Sequence, residues 1–215
     1  MDGSAASERQ WGGVRAPTRP DLDPRNLTIR LARKRELDAV AGLFGPAIAG
    51  YRETSDDPVI DAYLHELVNG VRERWNVGET YVAISERRVV GSVAFYPDVA
   101  LEGWSTFPSG WTGFRALVVD RAARGAGLGR ALVEQCLVRS RDVGGAVLGI
   151  HTADFLSHAV RLYRAMGFVR CPEYDLAVAE IFPAGGTNVT AIAFRYDLTA
   201  EPIGPRTVIE PGSTT

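Results

Sequence analysis

The sequence predicts a mixed α/β domain, a central and mostly antiparallel sheet flanked by helices, in the order β-α-α-β-β-β-α-β-α-β-β. Three observations carry that prediction. Short aliphatic runs alternate with longer segments whose apolar residues recur every three or four positions. Two runs, TYVAIS (80–85) and VVGSVAFY (89–96), are separated only by the polar link Glu86-Arg87-Arg88, the spacing of an antiparallel hairpin. A glycine-rich segment at 124–130 then joins the aliphatic run FRALVV to a helical pattern. The 215 residues are 46% hydrophobic and 23% charged, an ordinary globular composition with enough apolar material for one sizeable core.

The first strand is expected at Leu27–Leu31. From Arg35 to about Tyr51, Leu37, Val40, Ala41, Phe44 and Ile48 recur with helical spacing, and Gly45-Pro46 is expected to kink or divide that helix. Pro58 opens a second helical stretch, with Ile60, Tyr63, Leu64, Leu67, Val68 and Val71 as its buried stripe. After the hairpin, Phe114–Val119 reads as a buried strand. The glycine turn follows, then a helix with Leu128, Leu132 and Cys136 at four-residue steps. Ala146–Thr152 is another strand. The next helix carries Ala159, Leu162, Tyr163 and Met166 on one face, with Gly167 placed to cap it. Strands around Tyr174–Ile181 and Val189–Tyr196 complete the pattern.

Residues 1–26, with three prolines and little apolar periodicity, read as a flexible leader; 200–215 read as a matching tail, leaving 27–199 as one domain. Twenty-four basic and 26 acidic side chains leave a net charge of −2, which gives no electrostatic footprint for nucleic acid or an anionic membrane. No secretory signal and no membrane span are visible, so the expected location is cytoplasmic. Cys136 and Cys171 are too few for a disulfide framework or a four-cysteine metal site; they read as structural thiols, and no metal is expected.

The most informative segment is Arg124-Gly125-Ala126-Gly127-Leu128-Gly129-Arg130. Three glycines at alternate positions remove Cβ atoms from a strand-to-helix turn, so backbone N–H groups can converge at the positive end of a helix, with two arginines beside them. The dinucleotide fingerprint G-x-G-x-x-G fails, because position 130 is Arg. The P-loop fails too, because Lys34 is the chain's only lysine. Taken alone, the segment is as readily a tight turn as an anion cradle.

It does not stand alone. Arg124-x-x-Gly127-x-Gly129 resembles the [Q/R]-x-x-G-x-[G/A] motif of the GNAT superfamily, the acyl-CoA-dependent N-acyltransferases. Ala159-x-x-Leu162-Tyr163-x-x-x-Gly167-Phe168 resembles that family's second signature, A-x-x-L-Y-x-x-x-G-F. The resemblance is dense over 114–170 and weaker over 27–198, and it implies a GNAT-like fold.

The resemblance further implies acetyl-CoA as co-substrate, with its pyrophosphate on Arg124, Gly125, Ala126, Gly127, Leu128, Gly129 and Arg130. The pantetheine arm would lie along Leu117, Val118 and Val119, one of whose N–H groups polarises the thioester carbonyl. An amine, from a small molecule or a protein, attacks directly through a tetrahedral intermediate. Tyr163 matches the family's proton donor to the departing thiolate, although its place on the apolar stripe also suits a core residue. An aliphatic amine with a pKa of about 10.4 must lose a proton before attack. His151 is the named base, with Glu102, Asp154, Glu173, Glu53, Asp56 and Asp57 as further candidates. Tyr51, Tyr63, Trp104, Phe107 and Trp111 are candidates for an acceptor wall or for core. Family members often carry Asn where this chain has Leu156, which leaves open an inactive acyl-CoA-binding sensor; Ser157 is a candidate helix cap there. A nucleotide-dependent oxidoreductase is the third reading, opposed by the missing glycine. The late strands offer a sheet edge through which a homodimer could form.

Overall fold

In a computed structural model of the chain, residues 27–52, 58–103, 105–181 and 189–199 are described. The leader expected at 1–26 and the tail expected at 200–215 lie outside them. The chain runs β1 (Leu27–Leu31), α1 (Leu37–Arg52), α2 (Pro58–Asn69), α3 (Val71–Val77), β2 (Glu79–Ser85), β3 (Arg88–Tyr96), β4 (Thr112–Val119) and α4 (Leu128–Asp142). It continues through β5 (Val147–Ala153), α5 (Ser157–Ala165), β6 (Val169–Arg170), β7 (Leu176–Ala177), α6 (Val178–Ile181) and β8 (Thr190–Asp197).

Eight strands form one mixed, mostly antiparallel sheet in the order β1-β2-β3-β4-β5-β8-β6, with β7 also paired to β8. The β2–β3 hairpin closes through Glu86 and Arg87, both at positive φ, the backbone a two-residue turn needs to follow the strand twist. Leu128, Leu132, Val133 and Cys136 of α4 pack with Tyr163 and Phe168 against one face of the sheet, over Phe95, Phe114, Leu148 and Phe194. On the other face α1, α2 and α3 supply Leu37, Val40, Phe44, Leu67 and Val71 against Val82 and Val118. Helices on both faces explain why β3 is buried along almost its whole length.

The parallel pair β4–β5 is what makes room for a site. The two strands meet only at Thr112–Leu148 and Gly113–Gly149, and part beyond those residues. The 97–111 connection folds over this meeting point. A Cβ on Gly113 would stand 2.6 Å from Val99 Cγ1, and one on Gly149 would stand 2.9 Å from the Phe107 ring, so the glycine pair lets that connection lie directly on the sheet. The register of β4 on β3 slips between Ser92 and Ala94, and Ala116 takes φ 55° there. A bulge therefore bends β4 where it leaves β5.

Three local expectations change. Helix α1 runs through Pro46 unbroken, its Leu43, Phe44 and Ala47 held in the core on both sides of the missing N–H. The second helical stretch ends at Asn69 and restarts as α3, because Arg74 folds back to donate to the carbonyl oxygens of Glu66 and Leu67. The strand expected at Tyr174–Ile181 is instead a 3₁₀ turn, the two-residue β7 and the short α6. There the Asp175 carboxylate takes the Ala193 N–H at 2.7 Å, occupying the donor that a strand pair would have used.

Candidate active site

The glycine turn lies between the open end of β4 and the first turn of α4. Asp120 caps a 3₁₀ turn at Arg121–Ala123, accepting from the Ala122 N–H at 3.0 Å. Gly125 (φ 82°) and Gly127 (φ 80°) then take left-handed backbone, and Gly127 is the residue from which α4 starts. The first intrahelical bond runs from Ala131 N–H to the Gly127 carbonyl. The N–H groups of Leu128, Gly129 and Arg130 therefore point off the helix end, where the helix dipole is positive. A Cβ on Gly127 would meet nothing within 4 Å, so it is backbone conformation and open access, rather than crowding, that calls for glycine.

This turn forms one end of a cleft of about 670 Å³, within the range of small-molecule sites. Leu117, Val118, Val119, Arg124, Gly125, Gly127, Leu128, Gly129 and Arg130 all line it, whereas Ala126 does not. Phe44, Tyr63 and Leu67 close the opposite wall, and Leu156, Ala159 and Leu162 of the α5 region close the third. Asp120 N–H bonds back to Val90 of β3. By strand alternation the neighbouring Val119 peptide groups face away from β3, and the Val119 carbonyl accepts from Arg124 Nε at 3.2 Å.

A second, smaller cavity of about 60 Å³ adjoins the cleft, sharing Tyr63 and Ala116 with it. It fills the space opened by the parting of β4 and β5, between Val59 of α2, Val178 and Ile181 of α6, and Ala191 of β8. Arg115, His151 and Thr152 are its polar lining on the sheet. Arg115 donates to Glu66 Oε2 at 3.1 Å, and Glu66 Oε1 takes Arg74 Nη1 at 2.7 Å.

His151 stacks on Phe107 with ring centroids 4.3 Å apart. Its Nε2 lies 2.9 Å from the Tyr174 carbonyl oxygen, to which it must donate, and 3.2 Å from Thr106 Oγ1. Burial lowers its pKa below the ordinary imidazole value, so the ring is neutral at pH 7. Glu102 ends a 3₁₀ turn in the 97–111 connection, with Oε1 3.4 Å from the position of a Gly113 Cβ. Burial pushes its carboxyl up to about 7, against the opposing pull of Arg115.

Tyr163 is 5% exposed and surrounded by Phe114, Phe168 and Phe194. It lies one layer below Ala159 and Leu162, which face the cleft. Burial raises its phenol well above the ordinary value, with Tyr63 adding to the shift. Its carbonyl takes the Phe168 N–H at 3.0 Å while Gly167 N–H bonds Arg164 O at 3.1 Å, the paired bonds that end a helix at a left-handed glycine. Ser157 makes no cap bond; α5 starts after Leu156.

Of the other candidates, Asp154 and Glu173 are exposed, and Glu53, Asp56, Asp57 and Trp104 lie outside the described residues. Phe107, Trp111 and Tyr174 form an aromatic cluster behind His151, and Tyr63 lines both cavities, while the Tyr51 side chain is outside the described set. Cys136 and Cys171 are buried free thiols, each raised in pKa by burial. Sequence reasoning missed Arg115, its bridge to Glu66, and the β4 bulge. The one available signal for the first was a charged residue inside the otherwise aliphatic FRALVV.

A model of the acetyltransferase (GNAT) family matches residues 48–168. Comparison with curated proteins returns no match. Among solved structures, an N-acetyltransferase from Staphylococcus aureus Mu50 is similar at 20% identity over 80% of this chain and 99% of that one, with a TM-score of 0.54. The Salmonella typhimurium protein yncA, solved with its cofactor acetyl-CoA, is similar at 20% identity over 82% and 96%, with a TM-score of 0.56. A ribosomal-protein-alanine N-acetyltransferase from Brucella melitensis matches at 23% identity over 79% and 99%, with a TM-score of 0.53. At these identities the structural likeness speaks for the shared fold.

Proposed function

The chain belongs to the acetyltransferase (GNAT) family, and from that premise we propose that it moves an acetyl group from acetyl-CoA to a primary amine by direct attack. One observation carries the reading: a glycine turn with outward-pointing helix amides and the free edge of an aliphatic strand open into the same cleft. The first suits a pyrophosphate, the second an extended apolar arm with amide groups of its own. Residues 124–130 would hold the phosphates, and Leu117, Val118 and Val119 the arm. When bound, acetyl-CoA supplies an activated acyl thioester.

The chain's own groups then have three tasks. A β4 amide facing the gap stabilises negative charge as it develops on the acyl oxygen. Tyr163 is the proposed proton donor to the departing sulfur, its phenol being protonated at neutral pH as any tyrosine's is. The amine's proton goes to a base at the parting of β4 and β5. His151, neutral at pH 7, is one proposed acceptor and Glu102, ionising near 7, the other.

Calorimetric titration with acetyl-CoA, using NAD and ATP as controls, tests the cofactor assignment; binding of NAD without acetyl-CoA would overturn it. Thiol release on adding amines tests the transfer. Leu156 on the cleft wall, where the family often has Asn, favours a second reading as an acyl-CoA-binding sensor; tight binding with no thiol release from any amine would select it. A cytoplasmic homodimer belongs to the same proposal. Among the described residues no helix is long and apolar enough to cross a membrane, and sedimentation would give the subunit number.

A further inference from the structure

The small cavity has two unlike sides. Arg115, His151 and Thr152 bring polar groups to it from the sheet, and Tyr63 brings one from α2. Arg115 donates to Glu66 Oε2 at 3.1 Å and His151 Nε2 to the Tyr174 carbonyl at 2.9 Å, so both are tied to the protein itself. The rest of the lining is hydrocarbon, led by Val59 of α2, Phe155, Val178 and Ile181 of α6, and Ala191 of β8. This wall is held from several directions. Val59 is 1% exposed and Val178 7%, and both belong to a core cluster on which Phe155 and Ile181 pack. Val178 N–H bonds Val189 O at 3.0 Å, and Leu176, two residues before it, pairs with Ala191. The start of α6 is thereby pinned to β8. An apolar group placed against this wall exchanges water for hydrocarbon, whereas a charged group there would give up its hydration.

The transfer itself decides which reactant reaches this wall. The cavity joins the cleft at Tyr63 and Ala116, where β4 and β5 part, and His151 lines it. An amine that attacks the thioester from that junction has its carbon substituent on the side away from the sulfur, inside the small cavity. The space, about 60 Å³, takes roughly four to six heavy atoms at about 10–15 Å³ each. We propose that the acceptor is a primary amine with a compact apolar substituent, its nitrogen at the junction and its carbons against Val59, Phe155, Val178 and Ile181. This rests on the transferase reading above and names the class of acceptor within it. The reaction balances without a further reactant: an N–C bond forms, the C–S bond breaks, and the proton lost by the amine ends on the thiol.

The test measures thiol release from acetyl-CoA with ethyl-, propyl-, butyl-, pentyl-, hexyl- and octylamine, and with 3-methoxypropylamine, the ether isostere of pentylamine. Expressed per unprotonated amine, kcat/KM should rise about three- to fourfold per methylene as far as pentylamine, mostly through KM, as burial of successive methylenes requires. Octylamine, too long for the cavity, should fall about tenfold below the best of the series. The ether should fall about fivefold below pentylamine, because its oxygen meets hydrocarbon. Val178→Ala, which deepens the wall, should move the optimum toward hexylamine; the native series decides the matter even if that variant does not fold. A flat series overturns the assignment, and so does one that climbs through octylamine. Acetyl-CoA binding with no release from any of the amines overturns it as well. A flat series in which butyryl-CoA outpaces acetyl-CoA would also overturn it, giving the cavity to the acyl chain. Failure to bind acetyl-CoA at all would instead remove the transferase reading beneath the proposal.

Discussion

The two ends of the cleft are built in different ways. The glycine-turn end is local: a strand end, seven consecutive residues and the first turn of α4 supply nearly all of it. The far end is assembled from α2, the middle of β4, the end of β5, α6 and β8, with the 97–111 connection laid behind. A local device depends on backbone conformation, so its chemistry is written in glycine spacing. A cavity made of distant segments depends on packing, so its specificity is written in side chains that are near one another only after folding.

If that contrast is right, substitutions at the two ends should separate binding from turnover. The largest effect is expected at Tyr163, beneath Ala159 and Leu162 of the cleft wall. Tyr163→Phe keeps the aromatic packing and removes only the hydroxyl, so turnover should fall about 100-fold, within the usual range for a proton-transfer group. Affinity for acetyl-CoA, read by calorimetry, should barely move. Native turnover in this variant would assign Tyr163 to the core alone. Next comes Gly127→Val, which places a β-branched residue at φ 80°. Strain of about 1–3 kcal/mol distorts the turn, and acetyl-CoA should bind at least tenfold more weakly. Unaltered affinity would break the phosphate-cradle half of the comparison.

The same contrast accounts for what the sequence discloses. β1 stands where its aliphatic pattern puts it, the hairpin is where the two runs and their polar link put it, and both glycine-bearing motifs lie on the expected elements. Each of these depends on residues adjacent in the chain. The break between α2 and α3 was not legible, because it follows from Arg74 turning back onto the carbonyls of Glu66 and Leu67. Nor was the loss of strand character at Asp175, where a side chain takes an N–H from β8. Arg115 shows the limit within the site itself. Its charge was visible in the strand, but its meaning depends on Glu66 and Arg74, which come from helices on the covering layer.

A smaller effect should isolate the far end. Gly149→Ala adds a methyl 2.9 Å from the Phe107 ring, on which His151 stacks. Overpacking of this kind destabilises by about 1–3 kcal/mol. The ring must shift, taking its histidine contact with it, so KM for the acceptor should rise several-fold while acetyl-CoA affinity holds. A change in cofactor affinity equal to that in acceptor KM would show that the two ends are not independent.

The smallest expected effect is on stability, and its sign reverses the usual carboxylate behaviour. Glu102 has a folded pKa of about 7 against an ordinary value of 4.5, so between those values the folded chain holds a proton that the unfolded chain has lost. Stability therefore falls as pH rises through this window and is fully reduced above about 7. Glu102→Gln removes the titration but keeps a neutral side chain of the same shape. The variant should match the native protein near pH 4 and exceed it by about 1–2 kcal/mol at pH 8. That is less than the full linkage of about 1.4 kcal/mol per pKa unit, because the side chain keeps some contact with water. Denaturant melts of both proteins at the two pH values measure the difference directly, and other titrating groups, His151 among them, cancel in it. The same variant should lose the rising limb near pH 7 from its rate profile if Glu102 accepts the amine's proton; if His151 does, the limb lies below the ordinary imidazole pKa and survives the substitution. A stability gain with an unchanged profile would leave Glu102 as a buried neighbour of Arg115 and move the proton to the imidazole.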